Sequence, residues 1–268
     1  MKQFILIYLT QLLTTVGSIV ATGFFIHACK QLFVRACGKY GPAIVNYSGI
    51  IGTPVHELSH AAMCLLFGHK IKKIKLFGID RRSGTLGFVQ HSYNPKNLWH
   101  RIGNFFIGIA PVLAGSGVLL LFMRLLLPAT FRNAWVLLAT AADGALTLDS
   151  VVQLLQSAFG IFKLIFDPAN LKDWHLWVFL IPSVTVAIHM DLSTADIKGG
   201  WNGFLFLAGG VGLIDIALYF INTAWLQAFT GIIVRVGFML TSLLLLSVIL
   251  AGIVGAFSLI LLLLKKIF

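Results

Sequence analysis

Two histidines and a glutamate share one five-residue stretch, His56-Glu57-Leu58-Ser59-His60, and Glu57 is the only glutamate among the 268 residues. Helical residues four apart lie on one face, so His56 and His60 can present ring nitrogens to a single cation. Two histidines with oxygen ligands suit zinc, and a glutamate beside them can serve as general base for a metal-bound water. The stretch therefore predicts a helical metal site for hydrolysis.

The motif lies within an apolar segment, Ala43 to Phe67, that is otherwise uncharged and long enough to cross a bilayer. Ionisable side chains are costly in such a segment, so they indicate function by default. The alternative is that they only make hydrogen bonds between helices. Hydrolysis at this depth needs water, and Pro54 with Gly49 and Gly52 would loosen the helix enough to admit it.

The composition is that of an integral membrane protein, with 58% hydrophobic and 11% charged residues. No polar block is long enough for a second soluble domain, so residues 1–268 are expected to form a single membrane-embedded domain. The net charge of +11 comes from basic residues in short loops between apolar spans. This distribution is typical of cytoplasmic loops and of contact with anionic lipids, and it argues against nucleic acid as a partner.

The three cysteines, Cys29, Cys37 and Cys64, include no C-x-x-C pair. They predict neither a disulfide framework nor a thiolate metal site. Cys64 follows His60 by one helical turn, so it either faces the predicted site or is a small core residue.

Apolar spans lie at about 4–28, 43–67, 102–127, 134–160, 174–190, 202–225 and 230–264. Asp143 and Asp149 interrupt the 134–160 span, which is read either as an interior helix or as one lying at the membrane surface. The expected fold class is an all-α polytopic membrane protein with six or seven transmembrane helices.

The polar region between the second and third spans predicts a small β-hairpin at 70–95. Ile71–Ile79 and Thr85–Tyr93 are rich in strand-forming residues and flank a turn in which Gly84 supplies the unusual backbone angle. The hairpin edge could bind an extended peptide through main-chain hydrogen bonds. The alternative is a structural hairpin on the membrane surface.

The chain resembles the site-2 protease family of intramembrane zinc metalloproteases, as a divergent member. The matching residues are 53–61 (TPVHELSHA), the basic hairpin, and a later helix with residues 104–111 (NFFIGIAP), Gly115 and Gly117. The resemblance covers about 43–125, which it identifies as the metalloprotease core, while 126–268 would supply further helices that complete the site. It implies that His56 and His60 bind zinc and that Glu57 is the catalytic acid/base.

The chain departs from the family's pattern at the third zinc ligand, which the family takes from an L-D-G-type motif that is missing here in its usual form. We choose Asp196, because His189 and Ser193 precede it by seven and three residues and would share its face on a continuous helix. The alternative is that Ser193 and Asp196 form a capping box that opens the next helix.

Other residues remain open as the third ligand. Asp143 is followed by Gly144, which preserves the Asp-Gly pair, and Asp149 is a further candidate. His189 could itself be the ligand and give a three-histidine site.

The expected function is zinc-dependent hydrolysis of peptide bonds in membrane-associated proteins, with a membrane-protein or peptide substrate and lipids as partners. The expected location is the bacterial cytoplasmic membrane. The alternatives are a non-proteolytic metal-binding protein, such as a regulator, and a transporter. A transporter should show two related halves, which the sequence lacks. The retained Glu57 favours catalysis.

Overall fold

The computed structural model describes residues 2–80, 85–142 and 147–267, and it is mostly helical with one small antiparallel sheet. The elements in chain order are α1 (Lys2–Leu12), α2 (Ser18–Cys37), α3 (Gly41–Leu66), β1 (Lys70–Lys75), β2 (Phe88–Ser92), α4 (Leu98–Leu126), α5 (Pro128–Ala142), α6 (Leu148–Ile165), α7 (Pro168–Leu171), α8 (Trp174–Ile188), α9 (Thr194–Ile221) and α10 (Thr223–Ile267). A π-helical turn, Leu13–Gly17, joins α1 to α2, and a short 3-10 turn, Gly38–Tyr40, joins α2 to α3.

Five helical segments in the described ranges are long and apolar enough to cross a membrane, judged by length and composition. They are Gln3–Leu66, Leu98–Leu126, Leu148–Ile165, Thr194–Ile221 and Thr223–Ile267. The predicted apolar spans at 4–28 and 43–67 both correspond to the first of these, which includes the 3-10 turn at Gly38–Tyr40. The apolar helix α8 is shorter.

The interpretation of 134–160 as one helix is wrong. Helix α5 ends at Ala142 and α6 begins at Leu148, after Thr147 in an extended conformation (φ −128°, ψ 160°). The Thr147 side chain accepts a hydrogen bond of 3.2 Å from the backbone N–H of Ser150. This N-cap starts a new helix, and Asp149 in its first turn interacts favourably with the helix dipole.

Helix α3, which carries the motif, continues through Pro54. Gly49 and Gly52 let the end of α8 approach it closely, since a Cβ at Gly52 would lie 2.7 Å from the Cβ of His189. At Gly49 a Cβ would lie 3.3 Å from the His189 Nε2. These glycines therefore have a packing role that brings α8 beside the motif.

The two-stranded antiparallel sheet between the second and third predicted spans is confirmed. Lys70 is opposite Ser92 and Lys75 is opposite Phe88, with an irregularity between Ile71 and Lys73. The strands are shorter than the sequence suggests, and the predicted turn residue Gly84 lies outside the described residues.

Helix α10 has 45 residues and at 1.5 Å per residue is about 68 Å long. It packs along α2, α4, α5 and α8. The buried core that these helices share includes Ile26, Met123, Phe179, Leu246 and Leu250.

Helix α9 crosses α4 at small residues, and this crossing positions its first turn. A Cβ at Gly108 of α4 would lie 2.7 Å from the carbonyl oxygen of Asp196. A Cβ at Gly203 of α9 would lie 2.5 Å from the backbone nitrogen of Phe105. Because the two backbones touch here, the start of α9 is held beside α3, which also packs against α4.

Candidate metal centre

Three ligand-type side chains meet where α3 faces the first turn of α9. The Nε2 atoms of His56 and His60 are 3.1 Å apart. The Asp196 carboxylate places Oδ1 3.2 Å from the His60 Nε2 and Oδ2 3.8 Å from the His56 Nε2. The three residues form a group that could hold a metal ion.

Backbone carbonyls set the orientation of both histidine rings. The His56 Nδ1 lies 2.8 Å from the carbonyl oxygen of His189, and the His60 Nδ1 lies 2.7 Å from that of Ile107. A carbonyl only accepts, so each Nδ1 carries the proton and donates it. In the neutral rings each Nε2 is then a lone-pair donor aimed at the shared point, as second-shell contacts arrange in metal sites.

The Asp196 carboxylate caps a helix and also faces the histidines, two arrangements that the sequence left as alternatives. Its Oδ2 accepts a hydrogen bond of 2.8 Å from the backbone N–H of Ser193, and its own N–H donates to the Ser193 hydroxyl at 3.1 Å. This capping box starts α9 at Thr194. The Oδ1 faces His60 at the same time. Capping is therefore compatible with metal binding by Asp196, because the cap uses only one carboxylate oxygen and holds the carboxylate in place.

A continuous helix from His189 to Asp196 was the basis for choosing Asp196, and that basis is wrong. Helix α8 ends at Ile188, and α9 begins only at Thr194. Asp196 reaches the histidines because the chain turns between the two helices and returns along α4.

The other described candidates, His189 and Asp149, do not belong to this group. The His189 ring places Nδ1 2.7 Å from the Thr185 carbonyl and Nε2 3.1 Å from the Val45 carbonyl, so neither nitrogen is directed at the cluster. Its contribution is the backbone carbonyl that orients His56. Asp149 is exposed in the first turn of α6, and Asp143 lies outside the described residues.

Asp191 lies close to Asp196 in the sequence, but its carboxylate contacts residues of α2. Its carboxylate lies 2.5 Å from the Lys30 Nζ and 2.9 Å from the His27 Nδ1. These two contacts hold the segment between α8 and α9 against α2, which helps to fix where α9 begins.

Glu57 is buried next to the cluster and touches the segment that enters β2. A Cβ at Gly87 would lie 2.7 Å from the Glu57 Cγ and 2.9 Å from its Oε1. Gly87 is therefore a place where the chain passes directly over the Glu57 carboxylate, which only a residue without a side chain permits. This contact was not foreseen from the sequence.

The cluster opens into a cavity of about 710 Å³. Its walls come from α3, the start of α4, the start of α9 and β2 with the residues before it, and include Glu57, Phe88, Val89, Asn104 and Asp196. Ligand-type side chains, a buried carboxylate and a cavity of this size are the parts from which a hydrolytic metal site is built.

A second group that could hold a metal ion consists of Cys64, His69 and His91. The lack of a C-x-x-C pair predicts no thiolate site, yet here one cysteine meets two histidines from other elements. Neither motif spacing nor helical periodicity brings these residues together, so the sequence carried no signal for the group.

Comparisons of the chain with models of protein families, with curated proteins and with solved structures found no match. The chemistry assigned to the site therefore rests on the residues and their geometry.

Proposed function

We propose that the protein is an intramembrane zinc metallopeptidase, a divergent relative of the site-2 protease family, that hydrolyses peptide bonds of membrane-associated proteins. The observation that carries the proposal is the convergence of His56, His60 and Asp196 beside buried Glu57 in one cavity. Two imidazole nitrogens and a carboxylate oxygen are a donor set found in catalytic zinc sites, which add a water as fourth ligand.

In this proposal His56, His60 and Asp196 would hold a zinc ion. When bound, zinc lowers the pKa of its water to near neutral and polarises the peptide carbonyl. Glu57 accepts a proton from the attacking water as the oxygen forms its bond to the carbonyl carbon. Glu57 then gives the proton to the amide nitrogen as the C–N bond breaks, so that a carboxylic acid and an amine form.

We propose that the cavity holds an extended segment of the substrate between β2 and the start of α9. Phe88 and Val89 of β2 line one wall, so a peptide could pair with the strand through main-chain hydrogen bonds. Asn104, a buried residue that also lines the cavity, would donate its side-chain amide to a peptide carbonyl.

We also propose that the helical segments cross a bilayer, as a polytopic protein of the bacterial cytoplasmic membrane. The support is the length and apolar character of the five segments. The motif then lies within the membrane, and the cavity would supply the water that hydrolysis consumes.

The test compares purified wild type with Glu57→Gln in lipid nanodiscs, using a panel of single-span membrane substrates and measuring zinc content. The substituted amide would keep the shape of the side chain without its basicity. We expect both proteins to hold zinc and only the wild type to cleave, with cleavage stopped by a chelator and restored by zinc. Equal cleavage by both proteins contradicts the catalytic assignment. Zinc binding with no cleavage of any substrate by the wild type would favour the non-proteolytic alternative.

A further inference from the structure

We propose that Cys64, His69 and His91 form a second zinc site, which fastens the β-hairpin to the end of α3. The three ligand atoms lie within 4.8 Å of one another, and Cys64 and His69 are buried. This inference does not depend on the peptidase proposal, since it concerns different ligands and a different role.

A tight turn at the end of α3 brings His69 back beside Cys64. The backbone N–H of His69 donates to the Cys64 carbonyl at 2.8 Å, and the backbone N–H of Gly68 donates to the Leu65 carbonyl at 3.1 Å. Gly68 has φ +72°, a backbone conformation that glycine adopts at little cost. The turn therefore places the thiol of α3 and the imidazole of His69 on the same side.

The strand register supplies the third ligand. His91 of β2 is opposite Ile71 of β1, just beyond His69 in the chain. The Nδ1 atoms of His69 and His91 are 3.0 Å apart. A tetrahedral zinc with Zn–N bonds of about 2.0 Å separates two nitrogen ligands by roughly 3.3 Å, so small side-chain movements would complete the site.

The orientation of His69 is set from outside the cluster. Its Nε2 lies 2.8 Å from the carbonyl oxygen of His100, which can only accept, so Nε2 carries the proton. In the neutral ring the lone pair is then on Nδ1, directed at His91. The Tyr93 ring stacks on the His69 ring, with 5.1 Å between the ring centroids and 15° between the ring planes. A ligating histidine with its second nitrogen bonded to a carbonyl is the usual arrangement in zinc sites.

A metal binds the neutral form of each imidazole. Cys64 would bind as the thiolate, releasing its proton to solvent as the metal enters, and a water would take the fourth position.

This second metal site would fix the position of the β-hairpin relative to α3. His91, like Phe88 and Val89 of the same strand, borders the catalytic cavity. A metal bound by His91, His69 and Cys64 would hold that wall of the cavity to the helix that carries His56, Glu57 and His60.

The test replaces zinc with cobalt in the purified full-length protein and records the near-ultraviolet thiolate-to-cobalt charge-transfer band. A site made of His56, His60 and Asp196 has no sulfur and gives no such band. We expect the band in the wild type, and we expect Cys64→Ser to lose the band and one metal equivalent relative to the wild type. Cys37→Ser is the matched control and should keep both.

Two further outcomes keep the test decisive. The His91→Asn variant should also lose the band, so the result does not depend on the folding of one variant. Cobalt binding without the band in the wild type, or a band that survives in Cys64→Ser, overturns the proposal and leaves the histidines as a plain hydrogen-bonded pair. Peptide cleavage is not part of the readout, so failure here is distinct from failure of the peptidase proposal.

Discussion

The cluster of His56, His60 and Asp196 and the cluster of Cys64, His69 and His91 both use the C-terminal half of α3, but they are built in different ways. The first joins two turns of one helix to the start of a distant helix and opens into a large cavity. The second joins the last turns of α3 to a hairpin through a local turn and a strand register.

The two clusters differ in their chemical groups, and this difference indicates different roles. Glu57, the chain's only glutamate, lines the same cavity as the three residues of the first cluster. The second cluster has a buried thiol instead. A thiolate binds a metal firmly, whereas a carboxylate next to the ligands can move a proton. In our two proposals, hydrolysis belongs to the first cluster and the attachment of the hairpin to the second.

The largest effect is expected when the first cluster is removed and the second is left intact. The double variant His56→Ala/His60→Ala should lose one metal equivalent and lower the cleavage rate by at least about 10³-fold, because a catalytic metal contributes several kcal/mol to the barrier. Metal analysis and a cleavage assay measure this. The cobalt thiolate band should remain, and its disappearance would show that the two clusters are not independent.

Replacing the carboxylate alone should weaken the first cluster to a smaller degree. Asp196→Asn keeps an oxygen that can accept from Ser193, so the cap of α9 is retained while the charge is lost. We expect zinc affinity to fall by about 100-fold or more, since even an outer-shell partner is typically worth 10- to 100-fold. Competition with a chelating dye measures the affinity. Asp149→Asn, at an exposed position in α6, is the control and should match wild type.

A methyl group over Glu57 should slow cleavage without removing metal from either cluster. In Gly87→Ala the new Cβ would lie 2.7 Å from the Glu57 Cγ and 2.8 Å from the Lys75 carbonyl, so the carboxylate or the strand must move. We expect kcat to fall roughly tenfold, since a shift of about 1 Å can cost up to about 100-fold. Gly117→Ala, which meets nothing within 4 Å, is the control. An unchanged kcat in Gly87→Ala would argue against Glu57 as the base.

The smallest effect on cleavage is expected from loosening the second cluster. His91→Asn should speed hydrogen exchange of the amides of β1 and β2 and lower kcat/KM only a few-fold, because the hairpin is released but the catalytic residues remain. Mass spectrometry of exchanged peptides measures this. Gln90→Asn, on an exposed neighbouring side chain of the same strand, should exchange as wild type does. Equal exchange in both variants would mean that His91 does not fasten the hairpin.

The local pattern predicted the first cluster in part because two of its ligands are four residues apart. That spacing fixes a shared helical face whatever the rest of the fold does. The start of α9 was also readable, since Ser193 and Asp196 form a capping box from adjacent residues. The helix break before Leu148 was missed because an apolar pattern continues across it, and only Thr147 and Asp149 mark the new start.

The sequence by itself determined the residue types that can do chemistry: one glutamate, a pair of histidines on a helical face, and an apolar chain around them. The tertiary structure decided which aspartate joins them, because the crossing of α4 and α9 at Gly108 and Gly203 sets where Asp196 lies. The tertiary structure also brought the residues of the second cluster together, through the turn at Gly68 and the pairing of β1 with β2. Such meetings arise from backbone contacts between elements distant in the chain, and no local spacing records them.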